Sequence, residues 1–459
     1  MKKVSSNTVE ISEALNPWVL QYKVLNGQAG SENGGQIGWL SELRNKAIAT
    51  FESEGFPSTR HEEWKYTSVR NLLNREYAFP MKDGGEVGYI VTSDLQDWLQ
   101  GDSGVECHRI VVVNGRFDAA QSRILDDVIE VKSLSEAFHS DSEALKGRYG
   151  TVANISDSPF VALNTALARD GVFLSIPKGK TAKYPVHIAY FTDATSAHRN
   201  PQVRVFMHAG ENSECHVVEQ WYHDGEHHGF VNHVAEIVVE KAARFHLNSI
   251  QTEAGAHSLI NFTQVEQAEN SHFHSVMVST AGELIRNNVH ARHTGEYCET
   301  HLGGLYMLDE KQHVDNHTLV DHAVPNCYSN ELYKGVLDGN STAVFNGKVM
   351  VRKHAQKTNA FQSNKTILLS KGATINTKPQ LEIFADDVKC SHGATTGQLD
   401  ETALFYMRSR GIGEQRARAL LTYAFAAEVL GKVKIEGLRD WLDGQIRSRL
   451  FHTSSETTQ

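Results

Sequence analysis

A long stretch of the sequence, from about Gly171 to Ser391, is built from short apolar runs with a period of two. Runs such as Val203–Met207, Glu236–Val239 and Ser275–Val278 are rich in strand-forming residues, and Gly, Asn and Asp stand between them. Because no helical crossovers separate the runs, the pattern predicts a sandwich, a barrel or a β-solenoid. The length favours the solenoid, but no residue type recurs at the fixed interval of roughly 20 expected of a strong repeat.

The region before this stretch shows helical spacing. One helix is predicted from apolar residues three or four positions apart: Ile37, Leu40, Leu43, Ala47 and Phe51. Gly55 followed by Pro57 ends that pattern. Further on, Ile110–Val113 indicates a strand that enters a turn, and Ser133–Phe138 indicates a short capped helix.

Helical spacing returns after Gly397. It covers Leu404–Met407, breaks at Gly411–Gly413, and resumes over Ala419–Leu430 and Ile435–Ile446. Such helices either dock on the β body or present an apolar face to a partner. The changes of period predict three regions: 1–168 of helical and mixed character, 169–398 as a β core, and 399–459 as a helical domain.

Composition limits the classes of partner and compartment. With 45 Lys plus Arg against 55 Asp plus Glu, the formal charge of -10 gives no basic surface for nucleic acid or anionic membrane. No apolar stretch follows the N-terminal lysines, so neither a signal peptide nor a membrane anchor is expected. These features predict a cytoplasmic protein whose partners are proteins or small ions.

Cysteine and histidine are the residues from which a metal site would be built. The five cysteines include no C-x-x-C pair, which argues against a disulfide framework or a preformed zinc knuckle. Of the 24 histidines, 18 fall between His187 and His322. Spacing alone does not select any of them as ligands, since most histidines simply hydrogen-bond or face solvent.

Cys390 and His392 flank Ser391 in a strand-like setting, so their side chains are expected on one face. Sulfur plus imidazole suits iron or zinc. Two ligands are too few for a closed site, which leaves a chance pair, a Cys–His dyad, or a half-site completed by another chain. No cysteine-protease signature surrounds Cys390.

The flanks of this pair carry a resemblance. Residues Ala385–Thr395 resemble the segment that marks the SufD family, one of two paired scaffold families of the SUF iron-sulfur cluster assembly system. Ile367–Ser370 and Pro379–Ile383 resemble the strands before that segment, Arg60–Thr67 resembles the N-terminal signature, and Phe405–Ile412 resembles the start of the C-terminal helices. The similarity runs from about residue 37 to 445.

The sister family SufB is the nearest alternative. It carries His-Glu-Ala where this chain has His392, Gly393 and Ala394, which favours SufD. Two mild departures are Met407, where leucine is frequent in the family, and Gly413, where proline is common.

The resemblance implies a mainly β fold: a right-handed parallel β-helix core flanked by N-terminal and C-terminal α-helical domains. It also implies a non-catalytic scaffold subunit of a SufB–SufC–SufD complex, which assists assembly of nascent clusters at the SufB–SufD interface and acquires iron. SufB would bind the β-helix edge, and the SufC ATPase would bind the C-terminal helices and supply ATP hydrolysis. A homodimer is expected as an alternative when the chain is isolated.

The same resemblance implies site residues. His392 and Cys390 would be interface ligands to a transient iron-sulfur cluster or iron shared with SufB, with reduced flavin as a further cofactor of the complex. No cofactor is expected on the isolated chain. The residues expected to bind SufC are Phe405, Tyr406, Arg410, Leu420 and Phe425.

Other interpretations remain open. A β-helix enzyme acting on polysaccharide would need clustered carboxylates and a secretion signal, and neither is evident. A structural partner without any ligand would use Cys390 and His392 only for packing. Gly179–Thr181 resembles the end of a phosphate-binding loop, but Pro177 interrupts the motif, so a β-turn is predicted there.

Overall fold

The computed structural model describes residues 17–26, 37–78, 105–141, 145–252, 255 and 257–452 of the chain. Within them the helices are α1 (17–26), α2 (Gly38–Glu54), α3 (Arg70–Leu73), α4 (Leu134–Ser140), α5 (Pro159–Leu167), α6 (Glu401–Ser409), α7 (Glu414–Leu430) and α8 (Glu436–His452), with a 3-10 turn at Glu62–Trp64. None of these helices is both long and apolar enough to span a bilayer.

The strands lie between the two groups of helices. They are β1 (His108–Val113), β2 (Arg116–Arg123), β3 (Glu130–Ser133), β4 (Val172–Ile176), β5 (Val186–Asp193), β6 (Gln202–Ala209), β7 (Glu214–Asp224), β8 (Gly229–Val239), β9 (Arg244–Gln251), β10 (His257–Gln267), β11 (His272–Ser279), β12 (Leu284–His293), β13 (Glu299–Leu308), β14 (His313–His322), β15 (Tyr328–Leu337), β16 (Thr342–Val351), β17 (Asn359–Leu368), β18 (Thr374–Thr377), β19 (Gln380–Ile383) and β20 (Lys389–Gly397).

From β4 to β17 the chain alternates between two facing sheets at every strand. Sheet A has the order β18-β16-β14-β12-β10-β8-β6-β4-β3, with β19 also paired to β16. Sheet B has the order β2-β1-β5-β7-β9-β11-β13-β15-β17-β20. Neighbouring strands are parallel except for β1–β2 and β3–β4. The predicted parallel β-helix core with helices at both ends is therefore confirmed.

One corner of every coil carries a residue in the left-handed conformation. These residues are Asn212, Ala242, Asn270, Tyr297, Asn326 and Lys357. Their spacing of 27 to 31 residues is the length of one coil, so the interval of roughly 20 considered from the sequence is too short. Each coil is longer because it contains two strands of about eight to eleven residues.

The core lies between the two sheets and is apolar along its length, with Val205, Phe273 and Phe345 among its fully buried members. The N-terminal helices cover the outer face of sheet A, where α5 packs under α2 and contacts Phe230 and Ile260. The hairpin of α7 and α8 covers the outer face of sheet B. Both sheets are thus covered on both faces over much of their length. Their strands nevertheless bury polar side chains as well, such as Arg204, Glu219 and Glu236.

Local signals in the sequence are confirmed at several points. α2 ends at Gly55, which has a φ of 71°. The Gly55 N–H donates a hydrogen bond to the Phe51 carbonyl oxygen and so closes the helix. The Ser133 side chain accepts a hydrogen bond from the Glu136 N–H and begins α4. Gly179, with a φ of 71°, lies in the predicted turn rather than in a phosphate-binding loop.

Candidate functional site

The candidate site lies on β20, the last strand of sheet B in the described part of the chain. β20 pairs in parallel with β17 along one side, where Cys390 lies opposite Ala360 and His392 opposite Gln362. Its other side has no neighbouring strand within the described residues, so it presents backbone N–H and C=O groups along an edge. Most of its side chains are exposed.

Cys390 and His392 extend from the same face of β20, as the sequence predicts. Their partners Ala360 and Gln362 are buried, which identifies this face as the one that continues the interior of the β-helix. Because β20 is the final strand, the interior row reaches solvent here. The fold thus places a thiol and an imidazole at the open end of the core.

The two side chains differ in environment. Cys390 is half-buried and packs against the small buried cluster that contains Val349, Val351 and Ala360. Burial raises the pKa of the Cys390 thiol, and a backbone hydrogen bond with Ala360 acts in the opposite direction. His392 is exposed. The imidazole is therefore accessible to an incoming group, whereas the thiol at neutral pH is mostly protonated until a metal displaces its proton.

Apolar side chains stand around this edge. Ile383, the last residue of β19, is 38% exposed and the following Phe384 is 63% exposed, while Phe361 is 37% exposed on β17. Phe361 lies directly opposite Ser391 in the register. Large exposed apolar residues beside an unpaired strand edge are typical of a surface that another chain covers.

The five residues predicted to contact an ATPase partner fall into two groups. Phe405 and Tyr406 are 72% and 58% exposed on α6, and Arg410 donates a hydrogen bond to the Tyr406 hydroxyl at 3.1 Å. Leu420 and Phe425 are half-buried on α7. The Phe425 ring lies 4.3 Å from Nζ of Lys334 on β15, so part of this side chain packs on the β-helix.

α6 begins almost immediately after the site strand. β20 ends at Gly397, and Asp400 caps the helix by accepting hydrogen bonds from the N–H groups of Thr402 and Ala403. The exposed face of α6 is therefore joined to Cys390 and His392 by a short, ordered connection.

A second group of potential ligands, which the sequence pattern did not select, lies on the outer face of sheet B. Glu214 and His216 on β7 and His246 on β9 each offer a ligand atom, and these atoms lie within 4.8 Å of one another. The signal that could have found them is the recurrence of His216, His246, His274 and His301 at the coil length. That period becomes recognisable only once the coil length is known.

Two family models together match nearly the whole chain. The family model for the SUF system FeS cluster assembly SufBD core domain matches residues 191–425, and that for the SufBD protein N-terminal region matches residues 32–188. The iron-sulfur cluster assembly protein SufD of Escherichia coli is 30% identical over 402 residues, which cover 86% of this chain and 90% of that protein. The chloroplastic protein ABCI7 of Arabidopsis thaliana is 36% identical over 425 residues, covering 90% and 86%.

Proposed function

This chain belongs to the SufBD family of iron-sulfur cluster assembly proteins, and from that premise we propose that it is the SufD-type scaffold subunit of a SufB–SufC–SufD complex. The observation that carries the proposal is the position of Cys390 and His392 on the unpaired edge strand β20. A scaffold without chemistry of its own needs such an edge, because its site is completed by the chain that docks there.

SufB is the proposed partner at this edge. The unpaired N–H and C=O groups of β20 suit strand addition, in which main-chain hydrogen bonds supply affinity. Phe384, Ile383 and Phe361 would be buried by the same contact, and aromatic anchors of this kind contribute much of the binding energy in interfaces. The same edge is available to a second copy of this chain, so a homodimer of the isolated protein would use the same surface.

The nascent iron-sulfur cluster is the cargo of the proposed interface. His392 would supply an imidazole ligand and Cys390 a second, less accessible one, while SufB supplies the remaining ligands. Clusters are usually held by thiolates, and an imidazole is more readily released because it can be protonated near neutral pH. A mixed ligand set of this kind suits a site that must pass its cluster on.

The SufC ATPase is the proposed partner of α6 and α7. Phe405 and Tyr406 are large, exposed and adjacent, which fits an anchor in the groove of another protein. Since α6 follows β20 directly, a displacement of α6 during ATP hydrolysis would be transmitted to the strand that carries His392. This connection gives a physical route from nucleotide-driven motion to opening of the cluster interface.

Co-purification tests the proposed complex. The full chain, carrying an affinity tag, is co-expressed with SufB and SufC from the same source, and the complex is analysed by size-exclusion chromatography with mass measurement. We expect SufB and SufC to elute together with this chain as one complex. A preparation in which SufB and SufC associate with each other but not with this chain would contradict it.

A further inference from the structure

Four histidines form a straight row across the outer face of sheet B. His216, His246, His274 and His301 occupy successive strands, and each lies directly opposite the next in the register. Their ring centroids are 4.2, 5.6 and 6.1 Å apart along the row. Neighbouring strands are about 4.8 Å apart, so the coil geometry itself sets this spacing.

A carboxylate lies close to the first two rings of the row. Glu214 precedes His216 by two residues and lies on the same face of β7, with its Oε1 atom 4.0 Å from Nε2 of His246. The Nδ1 atoms of His216 and His246 are buried and have no hydrogen-bond partner within the described residues. Buried polar atoms are normally hydrogen-bonded, so these two ring nitrogens are available to a ligand.

Burial shifts the pKa values of both imidazoles downward. Burial lowers the pKa of His246 to about 3, with His216 contributing to the shift. Burial likewise holds the pKa of His216 below its usual value, against the influence of Glu214. Both shifts act in the same direction, in favour of the neutral ring.

We propose that Glu214, His216 and His246 bind one divalent transition-metal ion of the first row. Two imidazoles and one carboxylate form the donor set that non-haem ferrous iron uses with open coordination positions, and zinc accepts the same ligands. The ligand atoms already lie within 4.8 Å of one another. The His216 and His246 rings are stacked with an angle of 8° between their planes, so they would rotate about χ2 to direct both lone pairs at one ion. Sheet hydrogen bonds fix the two strands, which leaves only side-chain adjustment.

The row leads toward the proposed cluster interface. Beyond His301 the same register passes through Asn330 and Phe361 to Ser391, the residue between Cys390 and His392. Ser391 extends from the opposite face of β20 to Cys390 and His392. Ferrous iron held at the triad of Glu214, His216 and His246 would then be a reserve on the outer face of the sheet whose last described strand carries the cluster ligands. This last step rests on the proposed function, whereas binding of the ion does not.

Positive groups near the triad modulate its affinity for a cation. Nη1 of Arg244 lies 3.9 Å from Oε2 of Glu214. The positive charge of Lys434, a residue in the connection between α7 and α8, lowers the pKa of His216, His246 and His274. The charge of Lys432 lowers the pKa of His274 and His301 further along the row. Removing the Lys434 charge should therefore strengthen binding of a divalent cation.

Metal titration of the full-length protein tests the site. Co²⁺ serves as the probe under anaerobic conditions, followed by its visible absorption and by calorimetry, with Fe²⁺ titrated afterwards. His246→Ala and Glu214→Gln should weaken the affected Co²⁺ site by about 100-fold or more, since loss of a ligand exceeds the 10–100-fold cost of losing an outer-shell partner. Lys434→Gln should tighten it about threefold.

Two matched variants make the result specific. His301→Ala removes a ring of the same row outside the triad and should titrate like the unmodified protein. His392→Ala should also keep this ion, which separates the site from the cluster ligands. Identical titrations of the unmodified protein and His246→Ala, with native circular dichroism for both, would overturn the proposal. Loss of the ion in His392→Ala but not in His246→Ala would overturn it as well.

Discussion

The guanidinium of Arg286 on β12 lies 3.8 Å from the centre of the Trp64 ring, in the 3-10 turn that precedes α3. Its Nη1 atom also donates to Oδ2 of Asp315 at 2.6 Å and to the carbonyl oxygen of Glu63 at 2.8 Å. Thr67 donates to the same carboxylate oxygen at 2.5 Å. The N-terminal motif Arg60–Thr67 therefore holds the N-terminal region on sheet A.

Asp315→Asn should destabilise the protein strongly. Arg286 and Asp315 are 2% and 1% exposed, so the substitution leaves a buried guanidinium without its carboxylate, at a cost of about 3–5 kcal/mol. Denaturant unfolding followed by circular dichroism measures the change. Glu269→Gln is the matched control, because it breaks the exposed pair with Lys241 and should cost less than about 1 kcal/mol. Equal losses of unfolding free energy in the two variants would show that the buried Arg286–Asp315 pair contributes no more to stability than an exposed pair.

Glu331→Gln should change the pH dependence of stability. Glu331 is fully buried on β15, and burial raises its pKa to about 7, although the Thr318 hydroxyl donates to it. The raised pKa means that the folded state binds more protons, so the stability contributed by the protonated carboxyl is complete below the unfolded-state pKa and is lost as pH rises through about 7.

The amide of the Glu331→Gln variant cannot ionise, so the stability of the variant lacks this pH dependence. The Glu331→Gln variant should have a melting temperature close to that of the unmodified protein at pH 5 and a higher one at pH 8. Melting curves at the two pH values provide the measurement. A difference of the same size at both would argue that Glu331 does not titrate in this range.

Phe384→Asp should weaken SufB binding without unfolding the chain. The ring is 63% exposed beside β20, so it contributes little to the core, and a carboxylate there would be desolvated in the proposed interface. We expect at least about a tenfold loss of affinity in a surface-binding assay. Tyr297→Asp, which alters an exposed aromatic residue at a distant corner, should bind normally. If both variants bind alike, the edge is not the docking surface.

Phe405→Ala combined with Tyr406→Ala should weaken SufC binding by at least about tenfold, because two exposed aromatic anchors are removed. The affinity can be measured by calorimetry with purified SufC. Leu20→Ala, a truncation of another exposed apolar residue on α1, is the control and should leave SufC binding unchanged. Retained affinity in the double variant would move the SufC contact away from α6.

Much of the fold follows from local signals. Gly55 ends α2 and Ser133 caps α4 because each residue satisfies a backbone requirement within a few positions. The solenoid repeat was harder to recognise, because its left-handed corners accept Asn212, Ala242 and Tyr297 alike. Backbone geometry recurs there while residue type does not.

The site was predictable only in part. Alternation along a strand correctly places Cys390 and His392 on one face. It does not predict that the thiol is half-buried and the imidazole exposed, because that difference comes from the packing of Cys390 against a small buried cluster that includes Val349 and Ala360. The triad of Glu214, His216 and His246 depends on register between strands, which a single sequence does not display.

Cluster assembly on the reconstituted complex of SufB, SufC and this chain tests the ligand role of His392 most directly. Iron and acid-labile sulfide are counted after anaerobic reconstitution with the unmodified chain and with His392→Ala. The variant complex should assemble normally yet hold much less cluster, since an exposed ligand is lost without disturbing the fold. A variant complex with the same iron and sulfide content as the unmodified one would contradict the assignment of His392 to the shared site.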